Sequence, residues 1–370
     1  MYTTEAAKQT ASVSSPIAHL TPEDLDAIGR ELDAIRDRVV ADLGADDAAY
    51  IRRVIGAQRA LEVTGRGGLM LGLFPPAWVL GTTALTLAKI LENMEIGHNV
   101  MHGQWDWMRD PEIHSSTWEW DNVSSAEGWK HSHNFEHHTF TNVIGKDRDL
   151  GYEIMRIDPA QPWKPIYLAQ PVYNIALALL FQWGVALHDV GVHDVKRGNK
   201  TAEAAKADFK RFAAKARRQL FKDYVMWPAL SGPSAVPAFF GTLTANLARN
   251  VWSHAIIFCG HFPDGVETFD YTEEEMQAET RGGWYVRQLL GSANIDGGRL
   301  LHLMAGNLSH QIEHHLFPDV PSSRYAEISP QVREICERYG LPYTSGPLHK
   351  QYGQVLGKIA RLALPGGGAA

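Results

Sequence analysis

Two eight-residue segments from opposite halves of the chain repeat each other. His133-Asn134-Phe135-Glu136-His137-His138-Thr139-Phe140 and His310-Gln311-Ile312-Glu313-His314-His315-Leu316-Phe317 both read His, amide, apolar, Glu, His, His, any residue, Phe. Such a match requires two distant stretches to serve one purpose, so it constrains the fold more than any average property does. Two shorter elements accompany it, His98-Asn99-Val100-Met101-His102 and Asn250-Val251-Trp252-Ser253-His254. On a helix, residues i and i+4 share a face. The spacing therefore pairs His98 with His102, His133 with His137, His310 with His314, and Asn250 with His254. Adjacent residues point about 100° apart, which lets His137-His138 and His314-His315 address two different ions.

The metal-ligand candidates are then His98, His102, His133, His137, His138, His254, His310, His314 and His315, more imidazoles than one ion accepts. They suit two ions with open positions. Asn134 lies four residues before His138, and Gln311 four before His315, which sets amides beside those rings. Glu136 and Glu313 are placed to accept ring N–H bonds and so to orient ligands, and Asn250 accompanies His254. Of the other histidines, His19, His114, His188, His193 and His349 read as solvated or structural. His131, His261 and His302 lie near the repeated elements, where a supporting role is the lesser alternative to an incidental one.

Imidazole suits zinc, copper, iron and nickel. Zinc carries no redox chemistry, and a nitrogen-rich pair beside a bilayer points to iron first and copper second. The chain has only two cysteines, Cys259 and Cys336, which excludes a disulfide scaffold and a four-cysteine zinc site. There is no His-Glu-x-x-His of a zinc protease and no Gly-x-Ser-x-Gly elbow. Neither a Walker A sequence nor Gly-x-Gly-x-x-Gly is present, so the chain carries no signature for binding its own nucleotide reductant. Glu95-Ile96-Gly97-His98 is the single Glu-x-x-His, and soluble di-iron carboxylate bundles need two.

Mean hydropathy is −0.23, an average that conceals long charge-free runs. Gly67–Ala88, Pro165–Leu187 and Tyr224–Ala248 carry no charge, and Asn250–Pro263 adds only uncharged residues. A spanning helix needs about 20 apolar residues, and three runs reach that length. Each is punctuated, by Pro75-Pro76, by Pro171, and by Pro228, Gly232-Pro233 and Pro237, so broken or re-entrant helices are expected. Lys196–Lys222 holds ten basic residues, which the positive-inside rule places in the cytoplasm. Two simple crossings at 165–187 and 224–248 keep His137 and His314 on one side but place this segment outside. A re-entrant pair satisfies both conditions, and the sequence leaves the two topologies open. Formal net charge is −7 with no basic stripe, which argues against nucleic acid as a partner. Thr21-Pro22-Glu23-Asp24 reads as a helix start, followed by an apolar stripe suited either to a membrane surface or to the protein itself.

These residues together resemble the integral-membrane fatty acid desaturases. His98-x-x-x-His102 resembles their first histidine box, His133-Asn134-x-x-His137-His138 the second, and Gln311-Ile312-Glu313-His314-His315-Leu316-Phe317-Pro318 the third. Asn250-x-x-x-His254 resembles the further asparagine and histidine of acyl-CoA desaturases. The wording GHNVMHGQWDWM and SHQIEHHLFPDVPSSRY is similar to a linoleoyl-CoA-desaturase-like bacterial branch. The resemblance implies an all-α integral-membrane bundle of about four spanning or re-entrant helices in the cytoplasmic membrane. A cytosolic helical cap (98–160, 189–222 and 254–345) would hold a di-metal centre at its cytosolic face. It implies one domain over 21–364 between a disordered tail at 1–20 and a flexible tail at 365–370.

The resemblance further implies two iron ions, O2 as co-substrate, and a long-chain acyl-CoA or acyl-lipid substrate beside membrane lipid. Hydroxylases, acetylenases and ketolases share the boxes and remain the alternative chemistry. The His-Pro-Gly-Gly motif of a fused cytochrome b5 domain is absent, so electrons should come from a separate ferredoxin, cytochrome b5-like protein or flavin reductase. His310 directly precedes Gln311, and the third box leaves open which of them is nearest the metal. Lys130 and Arg324 stand as candidates to hold a substrate headgroup.

Overall fold

The computed structural model describes residues 16–367. Helices dominate; the strand elements among the described residues are a short parallel pair, Asn294–Asp296 with Ser345–Pro347, and an isolated bridge between Val143 and Phe269. Residues 1–15 and 368–370 of the expected tails lie outside the described residues. Ile17 and Leu20 are apolar and pack against the core, and His19 Nε2 lies 2.8 Å from the Tyr339 carbonyl. The folded unit therefore begins before residue 21.

Helix α1 (Pro22–Asp42) starts as its sequence requires. The Thr21 hydroxyl accepts from the Asp24 N–H, the Asp24 carboxylate accepts from the Thr21 N–H, and proline occupies the first turn. That reciprocal pair satisfies donors a helix start leaves free. Its stripe of Ile28, Leu32, Ile35 and Val39 is buried against α8 (Arg281–Leu290), α9 (Gln311–Leu316) and α10 (Tyr325–Arg338), where Tyr285, Ile312, Leu316, Ile328 and Val332 complete the core. The stripe thus faces the protein itself.

Helices α2 (Ala45–Met70) and α3 (Pro75–Leu91) form an antiparallel hairpin. Their backbones meet at Gly68 and Gly81: a Cβ on Gly68 would stand 2.7 Å from Gly81 Cα. Small residues are what permits such an approach. The run 67–88 is therefore divided between two helices, with Pro75 opening the second. The run 165–187 is divided as well: Pro165–Leu179 and Phe181–Arg197 meet at 98°. These segments contain α4 (Gln170–Leu179) and α5 (Phe181–Asp189). Helix α6 (Ala202–Phe221) carries much of the basic segment. Helix α7 (Ala235–His261) is about 40 Å long at 1.5 Å per residue and holds buried Arg249 within its apolar sequence.

Among the described residues no single helix is long and apolar enough to cross a membrane, and the 98° pair passes by length and composition only when taken together. Of the about four spanning or re-entrant helices expected, this bent pair is the one that meets the test among the described residues, and buried charges interrupt the apolar sequence elsewhere. One such group joins three elements. Asp223 accepts from Arg66 Nη2 at 2.8 Å, Lys89 Nζ at 2.9 Å and Asn246 Nδ2 at 3.0 Å, tying α2 and α3 to α7. The last helix, α11 (Leu348–Leu362), packs along α7 and α4.

Candidate metal centre

Helix α3 does not stop at Leu91. It runs on through a π-helical stretch, Glu92–His98, into Asn99–Met101. The second box repeats the device: Ala126–Trp129 runs through a π-helical stretch, Lys130–His137, into His138–Phe140. A π-turn holds more residues than an α-turn and occurs mostly at functional sites. Its wider turn brings both i+4 and i+5 near residue i. His133 accordingly lies 5.1 Å from His137 and 5.0 Å from His138, ring centre to ring centre. The third box sits on α9. Just before it, Gly306 takes a left-handed turn (φ 69°) where a Cβ would stand 2.6 Å from the Met94 backbone, so the box-three segment lies directly on the box-one helix.

Two groups of ring nitrogens result. The ligand atoms of His98, His102, His133 and His314 lie within 4.8 Å of one another, as do those of His137, His261 and His315. His98 Nε2 is 3.2 Å from His314 Nε2, and His315 Nε2 is 3.2 Å from His261 Nε2. His138 stands between the groups, its ring centre 4.7 Å from His102, 4.9 Å from His314 and 4.4 Å from His315. His133, His137 and Asp149 form a third, overlapping set.

The far side of five of these rings is held. His137 Nδ1 lies 2.9 Å from Asp147 Oδ2, His133 Nδ1 3.3 Å from Asp149, and His314 Nδ1 3.2 Å from the Tyr325 hydroxyl. His315 Nδ1 lies 3.0 Å from Gln288 Oε1, and His261 Nδ1 3.3 Å from the Gly291 carbonyl. Partners of this kind fix tautomer and orientation and leave Nε2 with a free lone pair. Burial and neighbouring imidazoles push His98, His102, His138, His261, His314 and His315 well below the usual histidine range, so these rings are neutral. Burial would also lower His137, but the Asp147 carboxylate overrides it and holds that ring above its ordinary value.

A metal fits this arrangement. His102 Nε2, His133 Nε2 and both nitrogens of His138 are buried without a hydrogen-bond partner, and buried polar atoms without partners are costly. The donors are imidazoles with one carboxylate at hand, and neither Cys259 nor Cys336 belongs to a group.

Two of the expected ligands stand elsewhere. His254 lies seven residues before His261 on α7, about 10 Å along the helix. Its Nε2 is 3.1 Å from Asn174 Oδ1, its Nδ1 is 3.4 Å from the Tyr352 hydroxyl, and its ring stacks on Phe258. His261 reaches the second group in its place. His310 falls in a 3-10 turn with non-helical backbone (φ −103°, ψ 55°) ahead of α9, which defeats i,i+4 alignment with His314. Its ring stacks on His302 instead. Gln311 is the residue at the site, with Nε2 3.0 Å from His261 Nε2.

The supporting residues shift in the same way. Asn134 ties the boxes together by donating to the Met101 carbonyl, and Asn250 donates to the Leu179 carbonyl. Glu136 pairs with Arg148, and Glu313 accepts from Tyr343 and Asn294. The carboxylates that stand against His137 and His133 are Asp147 and Asp149, which lie on a loop with no spacing signature, whereas Glu136 and Glu313 stand nearer His131 and His310. Lys130 donates to the Ser115 carbonyl, and Arg324 is paired with Asp47.

One interior cavity touches His98, His133, His137 and His261, and thus both groups. Its walls are largely apolar, with Trp129, Phe181, Val185, Ile257 and Phe262 among them.

Helices that converge on paired groups of buried imidazoles, beside an apolar cavity, define a class: a helical protein with a histidine-rich interior suited to metal. The comparisons narrow it. The family model described as "Fatty acid desaturase" matches residues 73–347, and the chain belongs to that family, as an oxidoreductase acting on acyl lipids. It is 53% identical to the "NADPH-dependent stearoyl-CoA 9-desaturase" of Mycobacterium tuberculosis, over 94% of this chain and 82% of that protein. It is 24% identical to the "sn-1 linoleoyl-lipid 6-desaturase" of Synechocystis sp., over 74% of this chain and 77% of the relative. Similarity extends to "Fatty acid desaturase 3" of Homo sapiens at 23%, over 93% of this chain and 73% of the relative.

Proposed function

We propose that this desaturase inserts a cis double bond into a long-chain acyl group carried on CoA, with stearoyl-CoA as the first candidate, at a histidine-held di-iron centre. The observation that carries the reading is the convergence of anchored imidazoles: Nδ1 atoms are tied to Asp147, Asp149, Tyr325, Gln288 and Gly291, while Nε2 atoms face one another in two groups. His98, His102, His133 and His314 would hold one iron, His137, His261 and His315 the other, and His138 lies within reach of both. When bound, the two irons supply the redox chemistry by which O2 removes two hydrogens from neighbouring methylenes. The chain supplies position. Methylenes along an acyl chain are chemically alike, so only a fixed seat selects one pair. The cavity beside both groups, with Trp129, Phe181, Val185, Ile257 and Phe262 in its wall, offers that seat.

The relative's NADPH dependence supports a reductase as the source of electrons. The donor we propose is a separate protein, of ferredoxin, cytochrome b5-like or flavin type. The setting proposed is the cytoplasmic membrane, with the metal site toward the cytosol, and a lipid-facing surface is supported by exposed apolar side chains. These include Leu73, Phe74 and Leu80 on the α2–α3 hairpin, Ile166, Val172 and Ile175 on the bent pair, and Val236 and Phe240 on α7. Apolar patches of this kind mark interaction surfaces.

Expression in a host lacking the activity, followed by fatty-acid profiling with double-bond location, tests the reading. A monounsaturated C18 product, lost in His137→Ala together with about two irons per chain, is the expected result. Hydroxylated product, or full activity in the metal-free variant, would overturn it.

A further inference from the structure

Residues 151–153 hold an unusual backbone. Gly151, Tyr152 and Glu153 follow one another in the left-handed region, with φ of 63°, 52° and 58°. Glycine adopts that region freely, but tyrosine and glutamate do so at a cost and persist there only where surroundings over-determine them. Here they do. The Glu153 carboxylate is bound by Arg197 at 3.0 Å, His193 at 3.2 Å and Arg148 at 3.5 Å. The result is the placement of the Tyr152 ring, stacked on Phe258 at 5.7 Å and edge-on to Phe181 at 5.6 Å.

That ring separates two spaces. On one side is the interior cavity that touches the histidine groups. On the other is a groove lined by Ile154, Leu177, Gly184, Leu187 and Val192, of which Ile154, Leu187 and Val192 are exposed. Tyr152 is the one described residue that lines both. Polar groups also border the ring, His188 at 5.6 Å and Glu153 and His193 in the groove, with Asp149 and Asp189 in the cavity. The cluster packed on the ring itself (Leu150, Phe181, Phe258 and Phe262) is nonetheless apolar and suits the methyl end of an acyl chain rather than a polar headgroup.

We propose that Tyr152 is a specificity-determining residue: its ring is the end wall of the acyl cavity, and it sets the longest chain that can be seated with its reacting carbons at the metal groups. The inference rests on the acyl-desaturase reading above. Removing the ring joins the cavity to the outer groove, so a longer methyl end can pass through.

The test feeds saturated acids of 16, 18, 20 and 22 carbons to cells expressing the full chain and measures the monounsaturated product at each length. Tyr152→Ala should raise the ratio of C20 and C22 to C18 product at least fivefold, while Tyr152→Phe keeps the wild-type ratio. A merely structural role would lower every length alike. An active Tyr152→Ala variant with the wild-type ratio overturns the proposal.

Should Tyr152→Ala turn over too slowly to profile, quenching of tryptophan fluorescence by terminally brominated acyl-CoAs of the same lengths reads binding without turnover. Gain of C22 binding in the variant supports the wall, and an unchanged length dependence overturns it. The two readings fail differently. Wild-type chain that makes no unsaturated product at any length refutes desaturation, whereas normal C18 product with no change of length profile refutes only the wall.

Discussion

Asp147 holds His137 in place: Oδ2 lies 2.9 Å from the ring Nδ1, and the same carboxylate accepts the backbone N–H groups of Asn142 and Asp149. The loop after the second box is thereby wound around one carboxylate, which turns His137 Nε2 toward His261 and His315. Replacing a carboxylate behind a ligating histidine usually weakens metal affinity about 10–100-fold. Asp147→Asn keeps the shape and removes the charge. It should therefore retain the fold, shown by an unchanged circular dichroism spectrum, and lose metal to a chelator at about 10–100-fold lower concentration. Retention equal to wild type would show that the contact does not tune the site.

The two α7 histidines should separate cleanly. His261→Ala removes a ring from the second group and should lower bound metal and abolish product. His254→Ala removes a ring that serves Asn174 and Tyr352 and stacks on Phe258. It should keep its metal and lose stability, by about 2–4 kcal/mol for an emptied buried aromatic site. Metal analysis of both purified variants, alongside thermal unfolding, decides it; metal loss in His254→Ala would restore that residue as a ligand.

This pair also shows what could be read from the residues. Matched boxes with i,i+4 spacing pointed to His98, His102, His133, His137, His138, His314 and His315, and the structure gathers all seven. Spacing failed where the backbone departs from an α-helix or where helical periodicity admits two answers. His310 is lost because a 3-10 turn precedes α9. His254 and His261 are seven residues apart, two helical turns, so periodicity puts both on one face and only packing chooses between them. Asp147 and Asp149 carry no pattern, because a loop brings them to the rings. The charge-free runs marked apolar helices and their proline breaks, but a run of uncharged residues does not say how sharply it bends, and the 98° turn after Leu179 is a tertiary result.

Acid should loosen the junction between α1, α2 and the segment after the third box. Arg324 Nε lies 2.7 Å from Asp47 Oδ1 and Nη2 lies 2.9 Å from Oδ2. Burial alone would raise the Asp47 carboxyl, but this two-pronged cation and the Gly44 N–H hold it below the usual carboxylate range. A lowered carboxyl stabilises the fold fully above its unfolded pKa, about 3.9, and that contribution is lost as pH falls through the folded value. Asp47→Asn should cost about 1–2 kcal/mol at pH 7 and progressively less below about pH 4. Melting temperatures of wild type and variant across pH 3–8 check this; a gap that stays constant through the acid range would contradict it.

The hairpin tip between α2 and α3 offers the most direct test of the membrane seat. Leu73 and Phe74 are each 64% exposed, at the tip of a hairpin whose second helix is largely apolar. Exposed apolar side chains of that size contribute about 1.5–3 kcal/mol each when removed from water. If the tip enters lipid, Leu73→Asp/Phe74→Asp should forfeit that contribution and add the cost of placing two carboxylates there. The contacts that hold the histidine groups lie far along the chain from this turn, so metal content should be kept. Flotation with liposomes of the doubly substituted and wild-type proteins, scored beside metal content, separates the cases. A fall of at least tenfold in the lipid-bound fraction with metal retained is the expected outcome, and equal flotation would place the tip in water.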